Sequence, residues 1–199
     1  MILIVATLVG VLSASLGGGD LRRIAALPLR HLWVVWVAIL AQIVVFGLLV
    51  QVLPEGLTNA LHLVTYGFAL SFLWLNRHLP GAAAIGVGAA CNLAAISANG
   101  GVMPASPGAW QRAGFDKIPE LQAANSHVLD DPKLAFLGDV FAVPEAWPLS
   151  NVFSLGDIVI ALAATYLAHR WCRSPRTSNA WPAPVAADIV AAPVTAIPA

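Results

Sequence analysis

Leu32-Trp-Val-Val-Trp-Val-Ala-Ile-Leu-Ala-Gln-Ile-Val-Val-Phe-Gly-Leu-Leu-Val-Gln-Val-Leu53 is apolar almost from end to end, with Gln42 as its one central polar residue. A helix crossing the roughly 30 Å hydrocarbon core of a bilayer needs about 20 such residues. The run therefore reads as a transmembrane helix, and the rest of the chain is read outward from it. Composition agrees: 59% of the 199 residues are hydrophobic, 10% are charged, and the mean hydropathy is +0.80, well outside the soluble norm.

Upstream, Met1 to Leu16 is apolar and lacks the basic start of a cleaved signal peptide. Arg22, Arg23, Arg30 and His31 separate it from the second run. Downstream, Leu57 to Leu75 forms a third run, and Gly81 to Ala98 a fourth built of Gly, Ala and other small residues that let neighbouring backbones come close. Residues 152–169 form the last. The sequence thus predicts an all-α, polytopic transmembrane helical bundle of about five spans, at 1–16, 32–53, 57–75, 81–98 and 152–169. These belong to a bundle domain over 1–173, followed by a disordered tail over 174–199 rich in Ser, Pro, Ala and Thr.

Charge sets the expected orientation. Arg22, Arg23, Arg30, Arg77, Arg170, Arg173 and Arg176, seven of the ten basic residues, fall on one side of these spans. The positive-inside rule makes that side cytoplasmic, with the amino terminus outside, the carboxyl terminus inside and the loop 99–150 outside. Trp33, Trp36, Trp74 and Trp171 lie near the inner helix ends, as interfacial anchors do. Reading the first run as a signal peptide leaves four spans and the same outer loop. The predicted location is the bacterial plasma membrane, with membrane lipid as the immediate partner.

Several function classes fall away. Ten basic and ten acidic residues cancel without clustering, so no nucleic-acid partner is expected. Cys91 and Cys172 form no metal-ligand spacing, Gly17 to Gly19 lacks the Lys-Ser/Thr of a phosphate-binding loop, and no cofactor or metal is expected.

The informative residues are polar ones inside apolar runs. In Asn151-Val-Phe-Ser-Leu-Gly-Asp157, a carboxylate enters the last span. Ser154 and Asp157 fit a capping box, Ser154 capping the helix and Asp157 returning a bond at its positive end. From Ile158 to Arg170 the rise is only about 20 Å, so a spanning helix is expected to begin near Asn151 and sink Asp157 below the outer boundary. Such an acid needs a partner or a task. Asp139 lies in Leu137-Gly-Asp139-Val140, close in sequence to Leu155-Gly-Asp157-Ile158. It is either an interfacial acid or one half of a carboxylate pair. The segment Leu134 to Val143 is too short to cross and reads as interfacial or re-entrant.

Asn92 and Asn99 share a face of the fourth run, where Asn92 serves as interhelical glue or as a ligand contact. Asn99-Gly100-Gly101-Val102-Met103-Pro104 is either a simple helix terminator or a ligand-binding turn presenting backbone donors. Asn59, His62 and Tyr66 stripe the third run at similar depth, where His62 is either a packing residue or a proton shuttle. The expected ligand-binding set is Asn92, Asn99, Gly100, Gly101, His62, Asn151 and Ser154.

Asn92, the Asn99-to-Pro104 turn, Leu137-Gly-Asp139 and Asn151-to-Asp157 together resemble a bacterial family of small multi-pass membrane proteins of unknown function. Phe153-Ser-Leu-Gly-Asp157 is also similar to the Phe-Asn-x-Ala-Asp start of the last helix in lipoprotein signal peptidases, and Gly138-Asp139-Val140-Phe141 to their Val-Asp-Phe-like stretch. That resemblance implies an aspartyl peptidase with Asp157 as one catalytic residue, the dyad being complete only where Asp139 substitutes for the second acid. The chain departs from it where Asn92-Leu-Ala-Ala95-Ile96 lacks the acid and arginine of the Asn-x-x-Asp-Arg motif. The leading expectation is an outer-leaflet pocket that binds a lipid or a lipid-anchored peptide. An intramembrane peptidase is the rival, and a small transporter a third class that lacks the internal repeat or broken helix expected of it.

Overall fold

A computed structural model of the chain describes residues 2–44, 48, 52–117 and 126–173. Six α-helices are present among them: α1 (Ile2–Leu16), α2 (Leu32–Gln42), α3 (Glu55–Leu75), α4 (Ala82–Ala98), α5 (Pro107–Arg112) and α6 (Leu155–Arg173). After Gln42 the backbone widens into π-type turns at Ile43 and Val44. The longer helices neighbour one another in the order α2, α3, α4, α6, α1.

The transmembrane prediction is overturned: among the described residues, no helix is long and apolar enough to cross a membrane. The sequence runs overstate the helices. Fifteen residues of α1 rise about 22 Å and the seventeen of α4 about 25 Å, short of a hydrocarbon core of roughly 30 Å. The longer α3 carries Thr58, Asn59, His62, Thr65, Tyr66 and Ser71 along its length. The other long helix, α6, carries Asp157, Thr165, His169 and Arg170. Each of these side chains dilutes the apolar average that a span requires. The five-span polytopic bundle is therefore withdrawn, together with the multi-pass description. Residues 45–47 and 49–51 of the second run and the tail 174–199 lie outside the described residues.

Side-chain hydrogen bonds fasten these helices in place of long spans. Asn76, 1% exposed, closes the end of α3: its Oδ1 accepts from the Arg30 amide at 2.7 Å, and its Nδ2 donates to the carbonyls of Arg30 and Phe72 at 3.0 and 2.9 Å. Gln42 Nε2 donates to Thr65 Oγ1 at 3.0 Å and ties α2 to α3. Ser13 Oγ and His169 Nε2 meet at 2.8 Å between α1 and α6.

The α4–α6 crossing depends on glycine. A Cβ on Gly88 would stand 2.6 Å from the Gly156 carbonyl oxygen, and one on Gly156 would stand 2.6 Å from the Gly88 carbonyl oxygen and collide with the Asn92 side-chain oxygen. Two backbones can approach this closely only without side chains between them.

The all-α expectation also fails in the long connection. Short strands β1 (Met103–Pro104) and β2 (Ser126–His127) pair in parallel, while β3 (Phe141–Val143) and β4 (Asn151–Phe153) pair antiparallel, with Val143 opposite Asn151. Residues 134–143, expected as an interfacial or re-entrant segment, form a single turn over Ala135–Leu137 and then β3. The last helix does not begin near Asn151. It begins at Leu155, because Asn151, Val152 and Phe153 give their backbone groups to the hairpin, where the Phe141 and Phe153 rings stack 5.5 Å apart.

Candidate functional site

The site is centred on the start of α6. Leaving the hairpin, the chain reaches Ser154, which is fully buried, and turns into helix with a capping box. Ser154 Oγ accepts from the Asp157 amide at 3.1 Å, and the Ser154 amide donates to Asp157 Oδ2 at 3.0 Å. The two side chains thereby satisfy two otherwise orphaned donors at the helix start.

The box is joined to α4 through Asn92, 5% exposed. Its Nδ2 donates to Asp157 Oδ1 at 2.8 Å, and its Oδ1 accepts from Ser154 Oγ at 2.9 Å. Asn92, Ser154 and Asp157 form a closed network across the glycine crossing. The Asp157 carboxylate is half-buried and borders a groove of about 280 Å³ lined by Ile4, Thr7, Leu8 and Ile160. A carboxylate offers about four lone-pair positions, so two bonds fix its orientation and leave acceptor capacity for a donor in that groove.

Asp139 occupies a second station. Its amide donates to the Pro104 carbonyl at 2.8 Å and its carbonyl accepts from the Ser106 amide at 3.0 Å, setting it beside Ala105 in a bridge. Its carboxylate accepts a hydrogen bond from Ser126 Oγ. Burial pushes this carboxyl up to about 6; the Ser126 bond opposes the rise, and the negative charge of Asp157 adds to it. Both carboxylate charges also act on the Tyr66 hydroxyl, so the two acids share one electrostatic neighbourhood. Among the described residues no hydrogen bond joins them; each is held by its own serine.

The other sequence-predicted residues take structural posts. Asn99 caps α4 and grips the loop: its Nδ2 donates to the carbonyls of Ala95 and Lys133 at 2.7 and 2.8 Å, and its Oδ1 accepts from the Lys133 amide at 2.9 Å. Gly100 and Gly101 adopt left-handed φ values of 69° and 99°. The Gly100 carbonyl accepts from Asn59 Nδ2 at 2.9 Å and the Gly101 amide donates back to Ile96, so the turn is spent on internal closure. His62 is buried and stacks on Tyr66, with ring centroids 5.3 Å apart. Asn151 is paired with Val143 in the hairpin. Of the expected set, the structure joins Asn92, Ser154 and Asp157 directly. Ser126, the partner of Asp139, carries no sequence signal, because it lies thirteen residues upstream in the two-residue strand β2, too short to show a pattern.

No curated protein and no solved structure matches the chain, and the resemblance to lipoprotein signal peptidases finds no support there. A family model does match it, over residues 26–168, a stretch that contains Asn92, Asp139, Ser154 and the first turns of α6; the chain belongs to this family of unknown function, DUF5317.

Proposed function

We propose that the protein binds, without cleaving, a lipid or a lipid-anchored peptide, whose polar donor meets Asp157 and whose apolar part lies along Ile4, Leu8 and Ile160. The observation that carries this reading is the double anchoring of Asp157 by Asn92 and Ser154 at the edge of an apolar groove. A carboxylate fixed in that way serves as an oriented acceptor. Activation of water by an aspartyl pair requires two acids sharing a proton, whereas here each acid has a separate partner. The flanking surface supports an apolar ligand. Leu8 and Leu12 on α1 and Leu162 on α6 are more than half exposed, and contiguous exposed apolar surface marks contact with lipid or a partner. The reading asks that lipid chains reach these faces and requires no helix to cross a bilayer.

The test uses the purified full chain and a fluorescent peptide carrying an amino-terminal diacylglyceryl group, compared with the same peptide lacking acyl chains. The acylated peptide is expected to bind at least tenfold more tightly and to keep its intact mass after prolonged incubation. Asp157→Asn should weaken binding about tenfold, because a neutral amide oxygen accepts more weakly than a carboxylate. Leu8→Trp, at an exposed position, should obstruct the groove without disturbing the fold. Release of a cleaved peptide that depends on both Asp139 and Asp157 would replace this reading with the peptidase. Equal binding of both peptides would remove it.

A further inference from the structure

A second groove lies at the other end of the α3–α4 pair, away from Asn92. Its volume is about 670 Å³, within the range of small-molecule sites. Large side chains of α3, Leu70, Leu73 and Trp74, form one wall, and small residues of α4, Ala83 and Gly86, keep the other wall low. Trp74 is 67% exposed, a large apolar surface left facing outward.

Among the described residues, one charge borders this groove. The Arg77 guanidinium sits 4.6 Å from the centroid of the Trp74 ring and donates through Nη1 to the Trp74 carbonyl at 2.9 Å. Stacking and hydrogen bonding hold its plane in place. Among the described residues no carboxylate pairs with it. A guanidinium with donors to spare, fixed at the edge of an apolar trough, complements an amphiphile with a long chain and an anionic head.

We propose that the α3–α4 groove binds an anionic lipid, its acyl chain lying against Leu70, Leu73 and Gly86 and its headgroup oxygens on Arg77. This site is separate from the Asp157 groove and does not depend on the function proposed there. The carboxylate of Asp157 favours a donor, whereas Arg77 selects an acceptor of negative charge.

The experiment titrates the full chain with lysophosphatidylglycerol and with lysophosphatidylcholine of equal chain length, below their micelle-forming concentrations, and reads occupancy by native mass spectrometry. The anionic lipid is expected to bind about tenfold more tightly. Arg77→Gln, an exposed substitution, should erase that preference while leaving the dependence on chain length. A Cβ at Gly86 meets nothing within 4 Å, so Gly86→Phe directs its ring into the groove without backbone strain and should weaken both lipids at least tenfold. The effects of Arg77→Gln and Gly86→Phe should persist in an Asp157→Asn background, which separates failure here from failure of the first site. Equal binding of the two lipids by the unmodified chain, an unchanged preference in Arg77→Gln, or unchanged affinity in Gly86→Phe would each overturn the proposal.

Discussion

Truncating Asn92 to alanine tests whether the α4–α6 junction is a working polar network. The substitution removes a hydrogen bond to a charged acceptor, the 2.8 Å contact with Asp157 Oδ1, and a neutral one, the 2.9 Å contact from Ser154 Oγ. Bonds to charged groups contribute about 1.5–3 kcal/mol and neutral ones about 0.5–1.5 kcal/mol. Ser154 is fully buried and its hydroxyl proton would lose its acceptor while its oxygen keeps the Asp157 amide, whereas Asp157 is half-buried and would recover some water. The expected loss is about 2–3 kcal/mol, measured by denaturant unfolding of the purified chain. A double-mutant cycle with Asp157→Ala isolates the pair and should give a coupling of about 1.5 kcal/mol. A loss below about 0.5 kcal/mol together with additive single mutants would refute the reasoning, because the network would then contribute no more than a solvated surface contact.

Asp139 makes stability depend on pH. Its folded-state value near 6 lies above the unfolded carboxylate value near 4, so the native state binds the proton more tightly and stability falls as pH rises from about 4 to about 6, by up to roughly 3 kcal/mol. Asp139→Asn keeps an acceptor for Ser126 and should flatten that slope, as seen in melting temperatures across the interval; an unaltered slope would assign it to another group. Gly156→Ala places a methyl group against the Asn92 side-chain oxygen and the Gly88 carbonyl and should destabilise by about 1–3 kcal/mol, read as a lowered unfolding midpoint. Asn76→Ala removes three hydrogen bonds from a buried amide and should cost about 2–4 kcal/mol, with Asn76→Asp also destabilising because the donors to Arg30 and Phe72 are lost.

The polar junction was legible in the sequence where its chemistry is local. Ser154 and Asp157 stand at the capping-box spacing, and the cap forms; Asn92 in a run of small residues pointed to an interhelical contact, and it makes one. Errors arose where a length requirement stood in for local backbone preference. A spanning helix needs more residues and so extends back to Asn151, but Asn151-Val-Phe is the β4 partner of Phe141-Ala-Val, and a three-residue strand has too few positions to display alternation. The glycines of the Asn99 turn allow left-handed backbone, which suits either a helix terminator or a ligand-binding turn. They do adopt it, yet the Gly101 amide goes to Ile96, and the Asn99 and Gly100 oxygens accept from Lys133 and Asn59, two partners that only folding brings near. The bond between Ser126 and Asp139 is of the same kind.

Gly156 sits between the two capping residues and touches the backbone of Gly88, so the interhelical gap and the reach of Asn92 to Asp157 are one mechanical variable. A ligand that slides α6 along α4 would stretch the Asn92 bond to Asp157. The junction then works as a gauge, in which sub-ångström helix displacement is converted into the gain or loss of one charged hydrogen bond.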